Sequence, residues 1–218
     1  MKYVFVDAFH INHLTSTRFA GDMKDEQKRN EFLLSQNIDP QNLVLTDQIH
    51  SNIIKHVTKN EAGKTIDSCD GLFTDDISLN LGVFSADCVP IVMVSTKYQV
   101  KAIVHAGWKG LAFGIIENTT EMFAQFGFPP YEIHAYIAPH IRKCCYEVSK
   151  DFEKIFGADL LKDNKFDLTG LARNKLKKCG IRRIYEHKLC TKCSKYEDEF
   201  LFFSYRRDKT QERLLTVI

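Results

Sequence analysis

The chain has 218 residues, with 30 basic against 28 acidic side chains, a formal net charge of +2, and 44% apolar content. That length suits a single domain over residues 1–218 with a core that needs no staples. The balanced charge gives no electrostatic case for a nucleic acid or an anionic membrane as partner.

No apolar run reaches the roughly 18–20 residues of a membrane helix, and the opening MKYVFVDAFHINH is too polar for a secretory signal. A cytoplasmic protein is expected, with its seven cysteines (69, 88, 144, 145, 179, 190 and 193) reduced rather than paired. At least one of those thiols is then expected to bind metal or to act chemically.

In chain order, Met23 to Gln36 reads as a helix, with Met23, Phe32 and Leu33 set against a charged face, ended by Asn37-Ile38-Asp39-Pro40. Leu43–Leu45 and Ile53–Val57 read as short strands with His50 between them. Ser78–Val94 reads as strand, tight crossing at Ser85-Ala86-Asp87-Cys88, strand. Val100–His105 is a β-branched strand, broken by Gly107 and Gly110 before a helix from Leu111 to Phe126. Pro129-Pro130 stops that helix, and Ile133–Ile137 is a strand. Helices follow at Val148–Phe156 and Leu168–Cys179, the second closed by Gly180, then strands at Ile181–Ile184 and Phe200–Phe203. Strands and helices mix without a strict βαβ rhythm, which points to an α+β fold with a mixed sheet. Neither G-x-G-x-x-G nor G-x-x-x-x-G-K-[ST] occurs, so no standard nucleotide fingerprint is present.

Three segments each bring one borderline or soft metal ligand to a strand end: His50 in DQIHS, Cys88 in SADCVP and His105 in VHAGWKG. Two imidazoles and a thiolate suit zinc, and three protein ligands leave a fourth tetrahedral position open, as in catalytic rather than structural sites. Such a centre carries about one net positive charge and lowers the pKa of bound water toward roughly 7. By pattern alone the same residues also read as a satisfied core histidine, a buried thiol and a turn histidine. Gly107 and Gly110 weigh against that, because close backbone approach beside a histidine is not needed in a plain core strand.

These segments resemble the signature blocks of the laccase-domain family, also called the YfiH-type purine nucleoside phosphorylase family and formerly labelled multicopper polyphenol oxidase. QIHS is similar to its Q-V-H-[GS] block, SADCVPIVMV to A-D-C-x-P, AIVHAGWKG to H-A-G-W-[RK]-G and IAPHIRKCCYEV to G-P-x-I…Y-E-V. The tail LCTKCSKYEDEFLFFSYRRDKTQERL is similar to C-T…F-F-S-Y-R-R-D-x-x-x-x-R. Five blocks in order, from about Gln48 to the end, make the resemblance specific.

The resemblance implies a YfiH-like mixed-sheet α/β sandwich and zinc (Zn2+) held by His50, Cys88 and His105. It further implies phosphorolysis of adenosine, inosine, guanosine or methylthioadenosine, with adenosine deamination as a further activity. The partners expected are a purine nucleoside and phosphate. The chain departs from the pattern at Ala138-Pro139, which is followed by His140, and at Glu212-Arg213. Ahead of Gln48 neither the usual Gly/Ser-rich block nor a clear Asn-Arg pair is found; Arg29-Asn30, in reversed order, is the nearest match. These departures bear on substrate range more than on metal binding.

Among the remaining candidates, Asp87 reads either as a carboxylate that orients a ligand or moves a proton, or as a turn carboxylate. Lys109, Arg206 and Arg207 are the candidate anion contacts. Read as strand neighbours, Arg206 and Arg207 point to opposite faces, so one faces the site and the other is structural. Trp108 stacks on a base or packs, with packing favoured. A second metal site from Cys190-x-x-Cys193 and Cys144-Cys145 is disfavoured, since only a lone CxxC is present and adjacent cysteines rarely chelate together. His10, His13, His56, His134 and His187 read as surface or packing residues.

Two competing functions remain open. A metal-free cysteine hydrolase or amidase, acting for example on cell-wall precursors, would use Cys88 as nucleophile and His105 as base, with His50 orienting. A copper oxidoreductase is disfavoured, because eight histidines with no His-x-His do not build a trinuclear cluster, although two His and a Cys formally suit a blue-copper centre. Oligomeric state is not legible in the sequence.

Overall fold

The run from Asn80 to Ala106 organises the molecule. Its apolar, β-branched stretches are too short and too rich in strand formers for helices, and each is buried along nearly its whole length. The computed structural model describes residues 1–8, 11–95 and 97–218, with side chains described throughout these except at positions 5–8, 11 and 12. His10 therefore lies outside the described residues.

In chain order the described elements begin with strands β1 (Tyr3–Ala8) and β2 (Ile11–Ser16), helix α1 (Glu26–Ser35), and strands β3 (Leu43–Thr46), β4 (Ile54–His56), β5 (Thr65–Ile66) and β6 (Gly71–Thr74). Strands β7 (Asn80–Ser85), β8 (Val89–Ser95) and β9 (Val100–Ala106) follow, then helices α2 (Trp108–Phe113) and α3 (Ile115–Gln125), strand β10 (His134–Ile137) and helix α4 (Asp151–Phe156). The remainder comprises β11 (Leu161–Lys162), β12 (Lys165–Phe166), α5 (Leu168–Lys178), β13 (Arg183–Glu186), β14 (Lys195–Tyr196), β15 (Glu199–Phe200), α6 (Tyr205–Asp208) and β16 (Leu214–Val217).

Two six-stranded mixed sheets result, in the orders β1-β2-β16-β7-β3-β5 and β13-β10-β8-β9-β6-β4. Alternation along single strands shows how they stack. In β3, Leu43 and Leu45 face Phe32 and Leu33 of α1, whereas Val44 joins Leu81, Val83, Val92, Val94 and Ile103 between the sheets. In β9, Ile103 faces that inter-sheet core while Ala102 and Val104 face Leu111, Ile115 and Phe123 of α2 and α3, with Leu176 of α5. The layers run helix, sheet, sheet, helices. This is the mixed-sheet α+β sandwich expected from the sequence.

Four local expectations are corrected. The first helix starts at Glu26, capped by the Asp25 side chain on the Lys28 N–H, rather than at Met23. The helix expected over Leu111–Phe126 is two helices, because Gly114 takes a left-handed conformation at φ 93° and α2 already begins at Trp108. Of Phe200–Phe203 only Phe200 is in a strand; Leu201, Phe202 and Phe203 are all buried without alternation, packed near Val4 and Leu214. Arg206 and Arg207 lie on the short helix α6, capped by the Ser204 hydroxyl, and not on a strand. Among the described residues no helix is long and apolar enough to cross a membrane.

Candidate active site

The chain leaves one sheet at Ser85 and enters the other at Val89, so Ala86-Asp87-Cys88 bridges the two. So tight a crossing puts Asp87 at φ 104°, a backbone region that non-glycine residues rarely occupy. The surrounding structure holds it there: Asp87 Oδ1 accepts from the Thr191 hydroxyl at 2.6 Å, and Oδ2 from the Ser204 hydroxyl at 3.1 Å and the Arg206 N–H at 2.7 Å. Asp87 thereby ties the crossing to the C-terminal segment.

Cys88 follows at the end of the crossing. His105 comes from β9, where it pairs with Pro90 of β8. His50 sits in the loop after β3 at φ 60°, again in the left-handed region. The structure brings all three together: their ligand atoms lie within 4.8 Å of one another, and Cys88 Sγ is 3.9 Å from His50 Nε2. A sulfur and a nitrogen on one tetrahedral zinc sit about 3.6 Å apart, so the donor set fits that ion. Gly107 makes room for it; a Cβ there would meet Cys88 Sγ at 3.1 Å and His50 Cδ2 at 3.2 Å.

Asp70, which sequence reasoning missed, organises these ligands. Its carboxylate is fully buried just ahead of β6. One oxygen takes the His105 Nδ1 bond at 2.8 Å and the His50 N–H at 3.1 Å. The other accepts from the N–H groups of Ile49 and Ser51 at 3.2 and 2.6 Å and from the Ser51 hydroxyl at 2.8 Å. One carboxylate thus fixes the His50 loop and occupies Nδ1 of the His105 ring, so that Nε2 is the nitrogen left to offer a metal. Burial alone would raise the Asp70 pKa, but the bonds from His105 and Ser51 outweigh it and hold the carboxyl low. Gln48 adds a second anchor, exchanging two 2.8 Å bonds with the Phe84 backbone.

Burial opposes charge on Cys88 and His105 alike, yet each favours the charged form of the other. The thiol is drawn well below its ordinary range by the His105 charge and by bonds from both histidines. His105 is pushed up, in turn, by the thiolate and by Asp70. A thiolate ready to bind a metal, or to attack as a nucleophile, is the consequence.

The three residues open into a cavity of about 550 Å³, walled by Trp108, Tyr146 and Arg206 among others, a volume in the range of small-molecule sites. Arg206 reaches it with its guanidinium 5.1 Å from the Tyr146 ring and one N–H on the Glu147 carbonyl at 2.6 Å. Arg207 is turned away, gripping the carbonyls of Thr191, Lys192 and Phe202 and the Asp208 carboxylate. Lys109 is exposed, 5.7 Å from the Trp108 ring, and does not line the cavity. Lys24 and Arg213 do line it; Lys24, an isolated exposed cation, carried no sequence signal, whereas half-buried Arg213 ends the last of the five signature blocks. Trp108 both lines the cavity and packs against Phe152, ring centroids 5.1 Å apart. His140 is fully buried between the Ala138 carbonyl and the Thr169 hydroxyl, each at 2.7 Å.

Comparison with known proteins gives a family and a fold. A sequence profile described as multi-copper polyphenol oxidoreductase laccase matches residues 8–218. A purine nucleoside phosphorylase of Clostridium acetobutylicum is 34% identical over 180 residues, covering 78% of this chain and 74% of that one. The purine nucleoside phosphorylase YfiH of Shigella flexneri is 30% identical over 211 residues, covering 91% and 82%. The crystal structure of Bacillus licheniformis YfiH, a hypothetical protein, superposes with a TM-score of 0.89 at 25% identity, covering 99% of this chain and 95% of that one. YlmD from Geobacillus stearothermophilus gives 0.83 at 26%, covering 94% and 90%.

Proposed function

The chain belongs to the multi-copper polyphenol oxidoreductase laccase family, and on that premise we propose that it is a zinc enzyme that phosphorolyses purine nucleosides in the cavity over His50, Cys88 and His105. The observation that carries this reading is the meeting of a His/Cys/His set with an aromatic, arginine-lined cavity of nucleoside size. The relatives named purine nucleoside phosphorylase support it. Adenosine, inosine, guanosine and methylthioadenosine are the substrates in this reading, with adenosine deamination as a second activity. Residues 1–218 act as one domain, in the reducing cytoplasm that suits seven free thiols.

When bound, zinc supplies Lewis-acid polarisation and about one net positive charge with this ligand set. The chain's own groups do the rest. Arg206 offers a phosphate oxygen the N–H groups not used on Glu147. Asp87 positions that arginine by holding its backbone N–H and the Ser204 cap of α6. Trp108 and Tyr146 form the aromatic wall for the base. A phosphate oxygen forms a bond to C1′ as the C1′–N9 bond breaks; the base departs with that electron pair and takes up a proton. Lys109 and Arg207 are left without a substrate contact.

The test is release of free base from inosine and adenosine with and without phosphate. Release only with phosphate is expected. Equal release without it makes the protein a hydrolase, and conversion of adenosine only to inosine and ammonia makes it a deaminase. Substitution of His50, Cys88 or His105 by Ala should each lower the zinc content by one equivalent per chain; retention in all three variants refutes the ligand assignment.

One observation favours a second reading: Asp70, His105 and Cys88 line up as orienter, base and thiol, the order of a cysteine hydrolase or amidase without metal. Iodoacetamide separates the two, because a coordinated thiolate is shielded until a chelator removes its metal, whereas a free nucleophile is labelled at once. The family's copper label fits poorly. Among the described residues the metal-capable groups contain only two histidines, His50 and His105, too few for a trinuclear cluster. A strong visible copper–thiolate band would favour a blue-copper centre instead.

A further inference from the structure

A second group of metal-ligating side chains lies outside the cavity. Cys144 and Cys145 come from the loop after β10, and Cys190 and Cys193 from the turn after β13. They are far apart in sequence, but the fold joins them: residue 140 bridges residue 190 as in a parallel ladder, and the Thr191 N–H donates to the His140 carbonyl at 3.0 Å. All four sulfurs lie within 4.8 Å of one another. Cys144 Sγ is 3.6 Å from Cys145 Sγ and 3.8 Å from Cys193 Sγ. Four thiolates on one tetrahedral zinc, with Zn–S of about 2.3 Å, stand about 3.8 Å apart.

The backbone is arranged as at a thiolate site. The Arg142 N–H points at Cys190 Sγ at 3.4 Å, and the turn is closed by the Ser194 N–H on the Cys190 carbonyl at 3.0 Å and the Cys190 N–H on the Ser194 hydroxyl at 2.8 Å. The Cys145 and Tyr146 N–H groups both bond the Arg142 carbonyl, a turn that puts two adjacent sulfurs beside the same centre. That local geometry overcomes the usual objection to neighbouring cysteines as joint ligands. Cys190 is buried whereas Cys144 and Cys193 are exposed, which leaves a path of entry for an ion.

We infer that Cys144, Cys145, Cys190 and Cys193 hold a structural zinc ion distinct from the cavity metal. Each thiol gives its proton to solvent on coordination, and the ion undergoes no redox change. With four protein ligands the site is closed, so its role is to clamp. What it clamps is the turn that carries Thr191, whose hydroxyl holds Asp87 and whose carbonyl, with that of Lys192, receives Arg207. The ion thus braces the wall of the cavity that presents Arg206.

The test uses the full chain in which the cavity ligands are replaced, H50A/C88A/H105A, under native mass spectrometry. One zinc per chain is expected to remain. On chelation four thiols should become reactive to a thiol reagent together, and the melting temperature should fall by several degrees. C193S, at an exposed position, should lose that zinc equivalent in the wild-type background while keeping any cavity metal. The inference is overturned if the triple variant carries no metal and its four thiols react at once, if they form disulfides on purification, or if the bound metal is iron. Should the cavity reading fail and this one hold, wild type carries one zinc, which C193S removes and H50A/C88A/H105A keeps. If the triple variant does not fold, the comparison of wild type with C193S decides by the same count.

Discussion

Asp70→Asn keeps the shape of a fully buried side chain while removing its charge. The carboxylate accepts five hydrogen bonds, from His105, His50, Ile49 and Ser51, the last through both its N–H and its hydroxyl. An amide has a single acceptor oxygen. Whichever way the new amide is turned, its NH₂ meets donors on one side. Either the His105 bond is lost or the 49–51 loop loses its anchor. Hydrogen bonds to a charged group are worth about 1.5–3 kcal/mol each, so a net loss of about 3 kcal/mol is expected. For a chain of this size that is a fall of about 6–12 °C in Tm. Misorientation of a ligating histidine should weaken metal binding by about 10–100-fold. Thermal melts of the metal-free variant measure the first effect, and competition against a chelator of known affinity the second. A variant that melts within about 2 °C of wild type and holds zinc within twofold would refute the role given to Asp70.

Arg206→Ala should raise KM for phosphate about 10–100-fold, the worth of one charge-assisted contact, with little change in KM for nucleoside. Arg207→Ala should leave both KM values near wild type and lower Tm, because its guanidinium ties three carbonyls together; steady-state kinetics and melts on the pair decide. Gly107→Ala should weaken metal binding more than it lowers Tm, since its new methyl presses on Cys88 and His50; chelator competition reads this, and unchanged affinity would show that the ligands give way freely. His140 supplies a pH signature: burial, which outweighs its bond to the Ala138 carbonyl, lowers its pKa to about 4 in the folded protein from 6.5. The neutral ring's contribution is therefore complete above pH 6.5 and is lost as pH falls toward 4, by about 3 kcal/mol in all. Urea unfolding between pH 7 and 4 should show a flatter stability profile for His140→Gln than for wild type, and parallel profiles would contradict the assignment.

The metal-capable triad was legible in the sequence chiefly through the family-like blocks around His50, Cys88 and His105; strand-end placement and Gly107 alone left the same residues readable as a core histidine, a buried thiol and a turn histidine. Asp70 was not, because a single carboxylate before a four-residue strand has no periodic signature, and its role exists only once five donors converge on it. Strand β6 itself, buried on both faces, went unread for want of alternation. One of Arg206 and Arg207 does line the cavity, but not for the reason expected, since a helical turn rather than strand pleating separates them. The four clustered cysteines were discounted because neither half is a metal motif alone; the pairing of residues 140 and 190 that unites them is a property of topology.

Strand β16 lies inside its sheet, antiparallel to β2 on one side and to β7 on the other, with Thr216 opposite Thr15 and Leu215 opposite Phe84. Until residues 214–217 dock, the β1–β2 hairpin has no neighbour in that sheet. Closure must therefore wait for contacts that span some two hundred positions, such as the 3.0 Å bond between the Thr15 and Thr216 hydroxyls. Contacts of such long range make folding slow. The Met23 N–H bonds the Arg213 carbonyl, so Lys24 and Arg213 reach the cavity wall in the same late step. A ligand that needs that wall can engage only after strand β16 has entered the sheet.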